Sequence, residues 1–530
     1  MAENTGATVG KKDELTAAYR RYHGALCACL PVSTGQKLYY LLLILPLLIL
    51  LLVYRWDYFL FFITVYFMVI YAFAAVLRFG SALRSMGKHA EIHVTPEEMA
   101  SIPDEELPIY TILVPLYHEE AVARKILPRL AALDYPKEKL DVRLLLEEDD
   151  DETANALAKE TIPSWCTVVT VPDGQPRTKP RACNYGLRDA KGEFLVIYDA
   201  EDAPEADQLR KVLYIFRKNP DKRLICVQAK LNFYNARQNL LTRLFTIEYS
   251  TNFDMQLPGL VKFSLPLPLG GTSNHFRTEE LRTLQGWDPF NVTEDCDLGI
   301  RIYENGYHTT VVESTTWEEA NPHLGNWLRQ RSRWVKGFFQ THLVHYRSPL
   351  QTLKRLGFWG FFGCYSFVGA SVLMMLANLL FWPVLLLYAI LLTDALLAGE
   401  SLASVVMGPH TEGTLYSGFH IGNWHIKAWP LFYSGPLEDP LLSHLSQVFF
   451  VLSIALFLMN FLLIYVHGAA CWKRKFYYLI PYVLLMPFYW FLISLGAWKG
   501  VLQFLHKPFH WEKTRHGLDE LPSKTEEETK

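Results

Sequence analysis

Residues 192–202 read GEFLVIYDAED, an apolar run from Phe194 to Tyr198 followed at once by Asp199, Glu201 and Asp202. A short apolar run rich in β-branched and aromatic residues predicts a buried strand. Here that strand delivers three carboxylates to its carboxyl end. Two upstream stretches have the same form. IYTILVPLYHEE (109–120) runs into a Tyr-His-Glu cluster, and VRLLLEEDDDE (142–152) runs into a series of acids. Helical patterns fall between the strands, at 121–133 and 151–161. Strands alternating with helices predict an α/β fold with a largely parallel sheet covered on both faces. In such sheets ligands collect beyond the carboxyl ends of the strands, where all three acid groups lie.

The acids carry different weight. The run 147–152 equally suits a solvated helix start, because carboxylates favour a helix N-terminus. Asp199, Glu201 and Asp202 directly off a buried strand repel one another unless a cation sits among them. Hard oxygen ligands in a small cluster suit Mg²⁺ or Mn²⁺, shared with substrate phosphates. Farther on come GGTSNHF (270–276), whose glycines permit close backbone approach, and GWDPFNVTEDCDLGIRIYENGY (286–307). Thr293-Glu294-Asp295 precedes an amphipathic helix expected at 298–305, so Thr293 or Asp295 could act as a plain N-cap. Asn291-Val292-Thr293 is formally a glycosylation sequon, a reading discarded for a cytoplasmic domain.

The chain has 530 residues, 50% of them hydrophobic, and a net charge of -3. With no basic excess, nucleic acid is excluded as the main partner. Eight cysteines are scattered without zinc spacing, as expected of a reducing compartment. The hydrophobicity lies in blocks at both ends. A membrane core needs about 20 apolar residues in a helix. Residues 38–54 and 58–77 form a hairpin around Arg55, Trp56 and Asp57. Arg20, Arg21 and Lys37 precede it, and Arg78, Arg84 and Lys88 follow it. Both ends, and hence the polar middle, are therefore placed in the cytoplasm. Residues 356–393 are read as two passes turning near NLLFWP (378–383), the competing reading being an interfacial helix and one pass. Spans at 448–466 and 476–497 follow. KRK (473–475) favours the cytoplasm, which conflicts with this path unless YYLIPYVLLMPFYW is itself a hairpin. The expected total is six. The expected organisation is a cytoplasmic segment 1–37, a transmembrane hairpin 38–79, a linker 80–107, the α/β domain with an interfacial helix 108–345, a membrane region 346–500 and a cytoplasmic tail 501–530. The aromatic insert 416–435 has no assigned role.

QRSRWVKGF (330–338) lies just before the second membrane block. In a helix Gln330, Arg333 and Trp334 share one face. A guanidinium, an amide and an indole suit a diphosphate and a sugar ring. The alternative is an amphipathic helix lying on the membrane with snorkelling arginines.

Taken in order, these landmarks resemble the inverting, membrane-embedded glycosyltransferases of family 2, the group containing cellulose, hyaluronan and mixed-linkage β-glucan synthases. The resemblance covers about residues 108–340 and implies a GT-A-type, Rossmann-like domain inserted between transmembrane segments. PLYHE is similar to that family's nucleotide-binding loop, which implies Tyr117 stacked on the base and Glu119 nearby. LLLEED stands in the place of its second uridine-contacting carboxylate, read as Glu148. KPRACN resembles its lysine–alanine–asparagine stretch and implies Lys179 near the phosphates. DAED replaces Asp-x-Asp, implying Asp199 and Glu201 as metal ligands, with Asp202 as the alternative second ligand. TED implies Glu294 and Asp295 as the catalytic pair, Asp295 being the base. QRSRW fits Gln-x-x-Arg-Trp, with Gln330 and Arg333 on the donor and Trp334 on the acceptor. The implied cofactor is Mg²⁺ or Mn²⁺. The implied function is polymerisation of a β-glucan from UDP-glucose onto a growing glycan, with export through a multi-pass protein of the bacterial inner membrane. An accessory secretion subunit is a further expected partner, and the tail 507–517 corresponds to a gating loop. Two alternatives stand beside this reading: single-sugar transfer to a lipid acceptor, and a non-catalytic assembly subunit with a lapsed transferase domain.

Overall fold

The computed structural model describes residues 14–379 except 55, 88 and 89, scattered positions from 390 to 426, and most of 456–518. Its centre is an eight-stranded sheet built from β1 (Tyr110–Leu116), β2 (Leu140–Glu147), β3 (Cys166–Val171), β4 (Phe194–Ile197), β5 (Ala203–Pro204), β6 (Leu224–Phe233), β7 (Asn274–Arg277) and β8 (His308–Glu318). The spatial order is β3-β2-β1-β4-β7-β6-β8-β5. Every residue of β2, β4 and β6 is buried, as expected of strands covered on both faces. Side chains alternate between two cores. Ile112, Val114 and Val196 join Leu130, Leu213 and Phe216 on one side. Leu113, Leu195 and Ile197 join Leu187, Leu260 and Leu298 on the other.

The three strands read from sequence are present, and the sheet is largely parallel, β6 and β8 also pairing parallel, with β5 and β7 as antiparallel additions. β1, β2, β3 and β4 run parallel. β7 then pairs antiparallel with both β4 and β6, and β5 pairs antiparallel with β8. The cause is the GGTS turn, where Ser273 takes a positive φ of 57° and sends β7 back between β4 and β6. This reversal brings the turn beside Asp199: Ser273 N–H donates to Ile197 O at 2.8 Å, and the Thr272 hydroxyl donates to the same oxygen at 3.0 Å.

Among the described residues four helices are long and apolar enough to cross a membrane: Thr34–Tyr54, Val65–Ser85, Pro349–Leu379 and Tyr477–His506. The expected total of six is not met by these. The NLLFWP turn and the 448–466 span fall largely outside the described residues, as does most of the 416–435 insert. The helical path from Pro349 is broken at Gly357 (φ 66°, ψ 174°), leaving one short helix before the longer one. KRK meets the α/β domain: Lys473 pairs with Glu91 at 2.9 Å, and Arg474 pairs with Asp254. At the far end of the same segment, His510 O accepts from Lys336 Nζ at 2.5 Å. Both ends of 473–510 therefore contact the domain, which satisfies the basic residues without the path expected from sequence.

The N-terminal segment also docks. Ala28 N–H donates to Asp288 Oδ2 at 2.6 Å, and the buried Tyr19 ring lies 5.7 Å from the Arg301 guanidinium carbon. All eight cysteines are free thiols.

An apolar helix and the domain approach closely at Gly259, in the Leu257–Lys262 helix. A Cβ there would stand 2.1 Å from Ser81 O. Gly259→Ala is expected to lower the thermal midpoint of the detergent-purified protein, an overpacking cost of about 1–3 kcal/mol. Gly325→Ala, with open space around it, is expected to leave the midpoint unchanged.

Candidate functional site

A cavity of about 1220 Å³ opens beyond the carboxyl ends of the strands. Every residue that the sequence reading assigned to the site lines it except Glu148. Its floor is the β4–β7 junction. Asp202 is wholly buried there, accepting from the Thr272 hydroxyl and from Asp199 N–H at 2.8 Å. Burial and the neighbouring Asp199 and Glu201 push its carboxyl far above the usual range. It closes the turn and does not face the cavity. Glu201 does, its backbone carbonyl being held by Arg129 Nη1 at 2.5 Å. Of the two alternatives for a second ligand beside Asp199, Glu201 is therefore the one in position.

The helix expected at 298–305 begins earlier, at Glu294, so both TED acids lie in its first turn (Glu294–Glu304). Thr293 occupies the capping position without capping. Its hydroxyl instead meets Asn291 and Thr341, at 3.4 and 3.3 Å. Asn291 is buried and donates to Thr341, so the sequon is closed to glycosylation. Asp295 lines the cavity, and burial pushes its carboxyl up to about 6 against the opposing Cys296 N–H, Lys179 and Arg333. Burial and then Asp295 push Glu294 up to about 8, so the two acids titrate as a pair. Behind them Asp297 accepts from Arg301 Nε at 2.8 Å and contacts His345 Nε2 at 2.9 Å. Burial alone would lower His345, but Glu304 and Asp297 outweigh it and push the imidazole up to about 9. This buried ion cluster fastens the TED helix to the helix that carries Trp334.

That second helix, Leu324–His345, is enclosed rather than surface-lying. Ser332, Val335, Lys336, Gly337 and Gln340 are all buried, which removes the snorkelling-arginine alternative. Arg331 forms a two-pronged ion pair with Glu248 and receives the Trp334 ring at 4.5 Å. Arg333 faces the cavity, within the field of Glu294, Asp199, Asp295 and Glu201. Gln330 Oε1 is buried without a hydrogen-bond partner, leaving an acceptor for a substrate donor. Trp334 stacks on Tyr249 at 6.2 Å, forming part of an aromatic wall.

Lys179 opens the Lys179–Arg188 helix. Its ammonium pairs with Asp199 and donates to Gly271 O at 2.7 Å. Tyr117 and Glu119 line the same cavity. Glu148 points elsewhere, exposed and accepting from Asp173 N–H at 2.9 Å. The LLLEED carboxylate that reaches the cavity is Glu147, which pairs with Arg181 at 3.3 Å and is pushed up to about 7 by burial. Glu147 is the last residue of β2, while Glu148 begins the turn that follows it. Two further cavity acids were missed. Glu318 ends β8 in TTWEE, a fourth strand terminating in acids, so the rule applied to the other strands would have found it. Glu248 is the only acid in LLTRLFTIEYST, and its sequence gives no comparable signal.

Gly337 explains the glycine of QRSRWVKGF. A Cβ there would stand 2.4 Å from Thr293 Cγ2. Gly337→Ala is expected to shift TED and cost about 1–3 kcal/mol of packing. In a donor-turnover assay it should lower kcat more than it raises KM for the donor. Equal kinetics in the variant would show that TED does not depend on this contact.

Residues 108–337 match the family described as "Glycosyltransferase like family 2". The chain is 30% identical over 235 residues to the "Probable glycosyltransferase YdaM" of Bacillus subtilis (strain 168), covering 44% of this chain and 56% of that protein. It is 26% identical over 269 residues to the "Probable glucomannan 4-beta-mannosyltransferase 7" of Oryza sativa subsp. japonica, covering 48% and 45%. The chain thus spans about half the length of the curated relatives it matches. Among solved structures, it is similar to the mannosyltransferase PcManGT from Pyrobaculum calidifontis in complex with GDP-Man and Mn²⁺, with a TM-score of 0.41 and 20% identity over 64% of this chain and 90% of that one. The family match falls on the strands, acids and Trp334 helix that build the cavity, so the resemblance to glycosyltransferase family 2 lies in residues 108–337.

Proposed function

We propose that this protein is an inverting, metal-dependent hexosyltransferase that extends a β-linked glycan from a nucleoside-diphosphate sugar and passes the product into the membrane. The observation that carries the reading is the continuity of the cavity. The same space is lined by Asp295, Asp199 and Trp334 and by Tyr71, Ser371 and Asn378 of the apolar helices. A product built at Trp334 therefore has a path leading away from the donor end. The accompanying location is a multi-pass protein of a bacterial inner membrane with the domain in the cytoplasm.

Inversion requires an acceptor hydroxyl to attack the anomeric carbon opposite the departing diphosphate. Asp295 accepts the hydroxyl proton as the bond forms, a contribution of about 10²–10⁴ in rate. Arg333 supplies fixed positive charge to the leaving end. Trp334 and Tyr249 hold the acceptor ring in attack geometry. Tyr117 and Glu147 line the part of the cavity assigned to the base.

Asp199 and Glu201 present hard oxygen donors in a cavity where acids crowd one another, and they would hold Mg²⁺ or Mn²⁺. Burial and the acids Asp202, Glu201 and Asp199 push Glu318 well above the carboxylate range, a sign that the site is short of positive charge. Among the described residues no three acids, histidines or cysteines form a complete chelate, so the donor's phosphates would complete the set. When bound, the ion neutralises charge on the diphosphate. UDP-glucose remains the first donor to try. The name of the Oryza relative adds mannose, so GDP-mannose stands beside it.

The test is nucleotide release by the lipid-reconstituted protein with UDP-glucose, UDP-N-acetylglucosamine or GDP-mannose, followed by digestion of the product with linkage-specific glycosidases. A long glycan is expected. A single sugar on a lipid would replace the polymer reading, and no release with any donor would favour the assembly-subunit alternative. Asp295→Asn is expected to lower turnover by about 10²–10⁴-fold while leaving nucleotide binding intact. The base form of the pair is lost as pH falls through about 6, so kcat/KM is expected to decline below that pH. A limb near 4 would remove Asp295 from the role.

A further inference from the structure

We infer that Lys179 is the resident counter-ion of Asp199, so that a divalent ion enters the site together with the donor diphosphate and not ahead of it. The inference rests on the reading of Asp199 and Glu201 as metal ligands. The Lys179 ammonium pairs with Asp199 and is fixed a second time by Gly271 O at 2.7 Å. Both side chains are largely withdrawn from solvent, at 15% and 30% exposure. Asp199 is thus already neutralised before any ligand arrives.

An ion approaching Asp199 alone meets a compensated carboxylate and an ammonium beside it. To bind, it must separate a largely buried pair and leave the Lys179 ammonium to Gly271 O and the field of Glu294 alone, which is costly. A diphosphate changes the balance, because it offers Lys179 another anion. Lys179 can make that exchange without moving the backbone. Its chain position is fixed, since the Thr178 hydroxyl donates to Pro289 O at 2.8 Å, while its own stem is flexible. Once the ammonium turns to phosphate, Asp199 is released to the ion. Arg333 does not relieve this competition, because it is spread over Glu294, Asp199, Asp295 and Glu201. Ion and diphosphate then favour each other's binding, and the coupling must be equal in both directions.

The experiment is Mn²⁺ binding to the purified full chain in lipid nanodiscs, read by electron paramagnetic resonance, with no nucleotide, with UDP and with GDP. For the wild type we expect Mn²⁺ affinity to rise by about tenfold or more with whichever nucleotide binds, within the usual range of such couplings. Lys179→Met is expected to bind Mn²⁺ alone about tenfold more tightly than wild type, and to lose most of the nucleotide effect. Wild-type affinity that is unchanged by a nucleotide shown to bind would overturn the inference without recourse to any variant. So would a Lys179→Met protein, monodisperse and folded, whose affinity for Mn²⁺ alone is no higher than wild type. Asp199→Asn separates this from the underlying reading: if it keeps full Mn²⁺ affinity, the assignment of the metal ligands fails instead. If neither nucleotide binds, the donor assignment fails, and the comparison of Lys179→Met with wild type still decides the role of Lys179.

Discussion

Asp199, Glu201, Glu294, Asp295 and Glu318 line one cavity, whose wall also carries Lys179 and Arg333 and, farther off, Arg177 and Arg331. Burial raises the affinity of Glu294, Asp295 and Glu318 for protons, and neighbouring acids add to it at Glu294 and Glu318. The surrounding fold is organised to sustain that excess. β7 runs against its neighbours to seat Thr272 on Asp202, the helix start at Glu294 sets two acids in favourable backbone dipoles, and Lys179 neutralises Asp199. An incoming ion and diphosphate would then meet a prepared deficit of positive charge.

Holding the acids requires the helices behind them to be immobile. Two buried ion clusters provide this. On one side Asp297, Arg301, His345 and Glu304 join the TED helix to the end of the Leu324–His345 helix. On the other, Arg331 ties the same helix to Glu248, which also accepts from Tyr489 of the final apolar helix at 2.7 Å. Removing one partner from either cluster would strand a buried charge, so the arrangement is far less tolerant than a surface pair. Gly337 and Gly500 permit the close approaches between these helices, at Thr293 and at Ser332 O. The C-terminal tail adds a further tie: Gly517 N–H and Leu518 N–H both donate to Glu319, each at 2.7 Å. This places Phe509, His510 and Thr514 on the cavity wall.

Much of the site was legible because acids at strand ends obey a simple rule. GEFLVIYDAED and IYTILVPLYHEE each identified a strand and its edge on the cavity, and TED and QRSRW identified the two helices facing it. The failures have equally plain causes. LLLEED offers adjacent glutamates, and only the end of β2 at Glu147 decides that this one enters the cavity while Glu148, in the turn, meets Asp173. QRSRW carries three cationic-looking positions with Arg329, but Arg331 is consumed by Glu248, 83 residues away in the chain. KRK was read only for the side of the membrane it favours, and its contacts with Glu91 and Asp254, far away in the chain, have no local signal.

Local chemistry therefore determined the strands, the helices that flank them, the apolar segments and the residue types available for sugar transfer. Those depend on periodicity and on neighbours within a few positions, which a sequence displays directly. Tertiary structure alone decided the antiparallel place of β7, the exposure of Glu201 and not Asp202 to the cavity, the pairing of Lys179 with Asp199 and the joining of the TED acids to the apolar helices in one cavity. Each of these depends on groups far apart in the chain meeting in a low-dielectric space. Which charge is paired, and which is left facing the cavity, is settled only by that meeting.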